Sequence, residues 1–175
     1  MKKKTIQIVV IVFFVLLFAV SCLSEPIRES VFDPSIPESN SSKILFWLDI
    51  TTYNGIDIHE SWAPGNDIPL VTIPAGNTVI GFTAYFSRDY GNLVEYYTIN
   101  DCEFKFNFEG GKEYTVRWFL EKKPKKFLSP QEYLYYIRIY GKLPKNLKGY
   151  KNNSDLTGND LLASILLFDT EQFKK

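Results

Sequence analysis

Histidine and cysteine are scarce. One histidine and two cysteines in 175 residues leave little material for a metal centre, a disulfide framework or a cysteine–histidine nucleophile pair. Charge of a single sign is also lacking: 20 basic and 20 acidic residues cancel, so the overall balance names no polyanionic partner. No apolar run reaches the roughly 20 residues that a transmembrane helix needs. The longest, Ile8 to Val20, has 13 residues. Nor is there a phosphate-binding glycine loop: "EGGK" at 109–112 lacks the required spacing. A nucleophile-elbow glycine pattern is missing too.

What is present begins at the N-terminus. Lys2, Lys3 and Lys4 precede the apolar run, and small residues at Ala19 and Ser21 precede Cys22. A basic stretch, a short apolar stretch and a small-residue cleavage pattern make residues 1–21 a signal peptide. A cysteine directly after the cleavage bond resembles the lipobox of bacterial lipoproteins, in the relaxed form found among spirochaetes. The resemblance implies a diacylglyceryl group on Cys22 and a membrane-anchored protein outside the cytoplasm. The implied compartment is the outer membrane or cell surface, or its periplasmic face. Cleavage without lipid, or a retained anchor, are the alternatives. Two acyl chains suffice for stable membrane residence, since each buried CH₂ contributes about 0.8 kcal/mol.

Residues 22–42 read as the lipidated cysteine followed by a flexible tether. Pro26, Pro34, Pro37 and several serines leave little to build a core from. Such a segment spans about 25 Å as a random chain. From residue 43 to 175 the chain reads as one β domain. "KILFWLDI" (43–50) is apolar on both faces and so belongs in the middle of a sheet. "IPLVTIP" (68–74) is bounded by prolines, which suggests short pairing or an edge. "TVIGFTAYFS" (78–87) and "LVEYYTI" (93–99) flank the turn residues 88–92. In "CEFKFNFE", Cys102, Phe104, Phe106 and Phe108 alternate with polar residues, the period-two signature of a half-buried strand. Gly110 and Gly111 then suggest a two-residue hairpin turn to "KEYTVRWFL" (112–120). "EYLYYIRIYG" (132–141) is a last long strand. Beyond it, Thr157 and Asp160 have capping-box spacing, and the leucines that follow fit a helical stripe, although "SILLFDTEQF" would also close a sheet. About seven strands without βαβ alternation predict an all-β, antiparallel β-sandwich with a possible C-terminal helix.

"VTIPAGNTVIGFTAYF" and "CEFKFNFEGGKEYTVRWF" resemble the small bacterial lipoproteins with prealbumin-like or PEGA-like β domains, which carry a "PAG" turn and an "F-x-F-x-x-GK-x-Y" hairpin. The likeness covers about 60 residues and consists of structural punctuation. It implies fold and location, and carries over no catalytic residue.

The chemistry-bearing residues are few. Asp57, His59 and Glu60 are close in sequence, but neighbours on one loop seldom converge on a metal, and no metal or other cofactor is expected. Cys102 shares the register of three phenylalanines, which predicts an inert, buried thiol. No catalytic constellation emerges, so the chain reads as a non-enzyme. Binding is better served. Aromatic residues make up 16% of the chain. Of these, Tyr53, Trp62 and Tyr90 sit at or near predicted loops, where a ring has little local core to enter. The basic residues cluster late: Lys122, Lys123, Lys125 and Lys126 begin a run that continues through Lys142, Lys145, Lys148 and Lys151. Such charge steers acidic ligands or headgroups. The expected partners are membrane lipid through the anchor, then a protein or glycan. Nucleic acid is not a partner of an exported chain. The function expected is that of an envelope or surface interaction module, with a carbohydrate-binding or adhesin-like domain, or a small envelope hydrolase, as alternatives.

Overall fold

Among the described residues, alternating apolar residues and β-branched or aromatic side chains set ten strands in chain order. They are β1 (Ile27–Val31), β2 (Ser41–Trp47), β3 (Asp49–Tyr53), β4 (Ile56–Asp57), β5 (Ile68–Pro74), β6 (Gly76–Asp89), β7 (Val94–Phe108), β8 (Glu113–Lys122), β9 (Tyr133–Tyr140) and β10 (Leu161–Asp169). This computed structural model describes residues 27–58, 68–89, 94–124, 131–145, 147 and 156–173. The expected signal peptide and Cys22 lie outside the described residues. Among those described, no helix is long and apolar enough to cross a membrane.

The strands form a β-sandwich of two packed sheets. The six-stranded sheet has the order β1-β5-β2-β8-β9-β10, and the four-stranded sheet the order β4-β3-β6-β7. β2 is interior, as its two apolar faces require. Ile44 and Phe46 enter the main core between the sheets, while Leu45 and Trp47 join Ile68 and Leu70 in a second cluster on the other face. Most pairings are antiparallel, but β1 runs parallel to β5 and β2 parallel to β8, so the larger sheet is mixed.

Four expectations change. The folded part starts before residue 43. Ile27–Val31, expected in the tether, is an edge strand whose Ser30 lies opposite Val71. Its prolines stand outside the strand, and Lys43 on β2 pairs with Glu29 at 2.5 Å. β5 is consequently not an edge; its prolines fall near its ends and leave Leu70–Thr72 to pair on both sides. The 110–111 segment is not a hairpin turn. β7 and β8 belong to different sheets, and the two glycines carry the chain across the sandwich. Gly111 has φ +67, and its N–H donates to the Ser41 carbonyl at 2.8 Å. The C-terminal stretch is a strand. β10 pairs antiparallel with β9, Ile165 opposite Ile137. The Thr157–Asp160 capping box exists, but it caps only a 3-10 turn at Gly158–Asp160. Ala163, Ile165 and Leu167 face the core at period two, and β9 gains a partner for its open edge.

β7 contains the parity change that the sequence conceals. Tyr97 and Ile99 point inward at odd positions, and Cys102, Phe104, Phe106 and Phe108 at even ones. A bulge reconciles them: Ile99 pairs with Ala84 and Cys102 with Phe82, so β7 holds one extra residue. Asp101 adopts φ +58 there.

Candidate binding face

The proposed site residues scatter. Tyr53 is 5% exposed and belongs to the core, its ring 4.6 Å from Phe32. Burial raises its hydroxyl pKa, opposed in part by a hydrogen bond with Thr78. Its position on β3, rather than in a loop, turns it inward. Lys122 is exposed at the end of β8. Lys123 is not available to steer a ligand, because its ammonium is held by Asp169 at 2.5 Å, Glu171 at 2.9 Å and Glu132 at 3.5 Å. Hydrogen bonds to the first two raise its pKa above the usual lysine value. Lys142 is similarly paired with Asp160 at 2.9 Å. Trp62, Tyr90, Lys125 and Lys126 lie outside the described residues, as does His59.

The structure instead gathers exposed aromatics on the outer face of the β6–β7 ribbon. Along β6, Thr78, Ile80, Phe82, Ala84 and Phe86 are buried, which turns Tyr85 and Ser87 outward. Along β7 before the bulge, Tyr97 and Ile99 point inward, which turns Val94, Tyr96 and Thr98 outward. Tyr96 is 84% exposed, Tyr85 54% and Val94 45%. The register sets Tyr85 opposite Thr98 and Ser87 opposite Tyr96, so the two tyrosines are diagonal neighbours on one surface.

This surface has a rigid backing. Beneath it, Phe86 stacks on Tyr97 with ring centroids 4.8 Å apart, and Phe168 and Phe173 of the opposite layer close on Phe86 at 5.8 and 5.6 Å. Offset and edge contacts of this kind add about 0.5–1.5 kcal/mol each beyond area burial. Tyr85 is also fixed from the side: its hydroxyl donates to Asp49 Oδ2 at 2.7 Å. That bond stabilises the protonated phenol and raises its pKa. Around Tyr85 and Tyr96 the face therefore offers two oriented rings, threonine and serine hydroxyls, and the Asp49 carboxylate. It can stack, pack or hydrogen-bond.

Cys102 completes the inventory. It is half-buried, with Sγ 3.6 Å from the Ile99 carbonyl oxygen. Burial pushes its thiol pKa up, the reverse of what a reactive thiolate requires. Sequence reasoning named Tyr53 ahead of Tyr85 and Tyr96. The parity of their neighbours was the signal that separates them. No family model, curated protein or solved structure matches this chain.

Proposed function

We propose that this protein is a non-enzymatic interaction module, tethered to a membrane through lipid on Cys22 and docking a protein partner on the outer face of the β6–β7 ribbon. One observation carries the docking site. Two tyrosines, 84% and 54% exposed, share a flat two-stranded surface that an internal aromatic stack holds in shape. Tyrosine supplies large contact area at low conformational cost and is enriched in interfaces. The anchor rests on the N-terminal sequence pattern and on the likeness to lipoproteins with prealbumin-like or PEGA-like domains. It has a geometric corollary. β1 starts five positions after Cys22, so a lipid there holds the domain within about 18 Å of the headgroups, at 3.3–3.6 Å per residue.

A second reading is favoured by the hydroxyls of Ser87 and Thr98 beside the rings. A tyrosine–hydroxyl strip also suits a glycan, whose apolar sugar faces stack while their hydroxyl groups hydrogen-bond.

Tyr96→Ala tests the site. It should leave the unfolding free energy within about 0.5 kcal/mol, as expected of an exposed side chain, while weakening binding at least tenfold in a screen of envelope proteins and glycan arrays. An unaltered binding profile would remove the face from consideration. For the anchor, intact mass of the membrane-extracted protein should give a chain that starts at Cys22 and carries acyl groups, and an unmodified Cys22 would refute lipidation alone.

A further inference from the structure

Among the described residues β7 is the outer strand of the four-stranded sheet, so one side of its backbone pairs with no described strand of that sheet. Which residues present that side follows from β3. The Asn54 N–H donates to the Val79 carbonyl at 2.8 Å, and the Val79 N–H donates to Asn54 Oδ1 at 2.8 Å. Val79 thus turns its backbone toward β3. Its neighbours Thr78 and Ile80 turn theirs toward β7, where they face Phe106 and Phe104. On β7 the residues between, Glu103, Lys105 and Asn107, direct their N–H and C=O groups outward. These are open edge groups of the kind that recruit another strand.

The side chains on this stretch are self-complementary. Glu103 and Lys105 are exposed on the outer face, opposite Gly81 and Val79, so neither meets a charge across its own sheet. We propose that β7 pairs antiparallel with β7 of a second copy of this chain, about a two-fold axis at Phe104. In that register Glu103 faces the partner's Lys105 and Lys105 faces the partner's Glu103. The same residues supply the outward backbone groups, so the ion pairs and the hydrogen-bonded pairs coincide. On the inner face, half-buried Cys102 stands across from the partner's Phe106, and half-buried Phe106 across from the partner's Cys102. Both lose solvent contact. The bulge at Asp101 ends the ladder, which limits it to about residues 102–106 in each copy. A lysine and a bulge are also devices that blunt sheet edges. The glutamate two positions away turns the same edge into a match for itself.

So short a ladder falls below the ~1,200 Å² of a standard stable interface. Association is therefore weak in solution and strengthened where a membrane concentrates the chain. The inference is independent of the tyrosine face: the two-fold leaves Tyr85 and Tyr96 of both copies uncovered.

The test is charge reversal, read by sedimentation velocity of the full chain in detergent over a wide concentration range. Wild type should shift toward dimer mass with concentration. Glu103→Lys alone and Lys105→Glu alone should each remain monomeric at tenfold higher concentration, since like charges then face each other. An equimolar mixture of the two variants should recover dimer, as should the doubly swapped chain. Both positions are exposed, and a circular dichroism melt checks that each variant folds. Tyr96→Ala should leave the dimer intact. A wild type that stays monomeric throughout would overturn the proposal, as would a dimer indifferent to both reversals or a mixture that fails to recover it.

Discussion

Arg88 follows Thr78, Ile80, Phe82, Ala84 and Phe86 along the inward face of β6 and is 0% exposed. None of its three guanidinium nitrogens has a hydrogen-bond partner among the described residues. Among the described residues, the ring of Tyr97 lies 5.5 Å away, and Glu95, opposite on β7, has its carboxylate accepting from the Tyr97 hydroxyl rather than from the guanidinium. A desolvated cation–π contact contributes about 2 kcal/mol. Removing the charge from water costs several kcal/mol even after relaxation, so desolvation wins. Arg88→Met keeps the long apolar stem and discards the charge. It should raise the unfolding free energy by about 1 kcal/mol or more, seen as a higher urea midpoint at unchanged slope. A lower midpoint would show that something stronger than the ring holds the guanidinium. Residues of this kind mark the limit of alternation as a guide. The pattern that places Arg88 inside is legible along β6, yet a basic residue near a turn reads naturally as a surface group. Tyr53 misled in the opposite sense, because proximity to a loop says less about a ring than the parity of the strand it belongs to.

At the scale of elements, β10 is clasped at both ends. Lys142 and Thr157 hold Asp160 just before it, and Lys123 holds Asp169 at its last residue and Glu171 in the turn beyond. The hydroxyl of Thr157 and the ammonium of Lys142 lower the Asp160 pKa from 3.8 to about 2. Lys123 and the Glu171 N–H lower that of Asp169. A carboxylate whose pKa is lower folded than unfolded adds stability above its unfolded pKa, and that stability is lost as pH falls through the folded value. Lys123, raised, adds stability throughout the range below the ordinary lysine pKa and loses it only at strongly alkaline pH. The combined Asp160→Asn and Asp169→Asn variant should therefore melt below wild type at neutral pH, and the gap should close between about pH 4 and pH 2. A gap that persists at about pH 2 would mean the carboxylates do not act through their charge. Strands with a single clear period, such as Cys102–Phe108 and the doubly apolar β2, were legible in the sequence. β10 was not, because leucine-rich positions satisfy a helical stripe and an alternation equally, and only the open edge of β9 decides. β1 was hidden by the prolines around it. The two parallel pairings join segments far apart in the chain and leave no local mark.

For the whole molecule, the decisive features are the places where the chain changes layers. β2 passes into β3 at Leu48, β4 into β5 between Asp57 and Ile68, β5 into β6 at Ala75, and β7 into β8 through Gly110 and Gly111. Gly76 takes φ +130 at the crossing from β5 to β6. At the crossing from β7 to β8, a Cβ on Gly110 would lie 2.2 Å from the Ser39 carbonyl oxygen, a backbone atom that has little room to retreat. Gly110→Ala should destabilise the domain by about 2 kcal/mol or more, in the range of overpacking. Gly111→Ala, in open space but at positive φ, should cost about 1 kcal/mol. Urea titration of the two single variants checks the order, and equal small effects would point to a crossing looser than this one. Two adjacent glycines suit a hairpin and a crossing alike, so the turn was legible while its destination was not.

All four crossings start or end on β2, β5 or β8 of the larger sheet, and none involves β9 or β10. The two layers are thus bound like the boards of a book along β2, β5 and β8, whereas among the described residues β9 and β10 meet the smaller sheet through side chains. There, Phe168 and Phe173 close against Phe86 and Tyr97. Rings can slide apart and return; peptide bonds cannot. Heat, or a guest seeking the interior, is therefore expected to part β10 from β7 before the chain crossings at the spine give way.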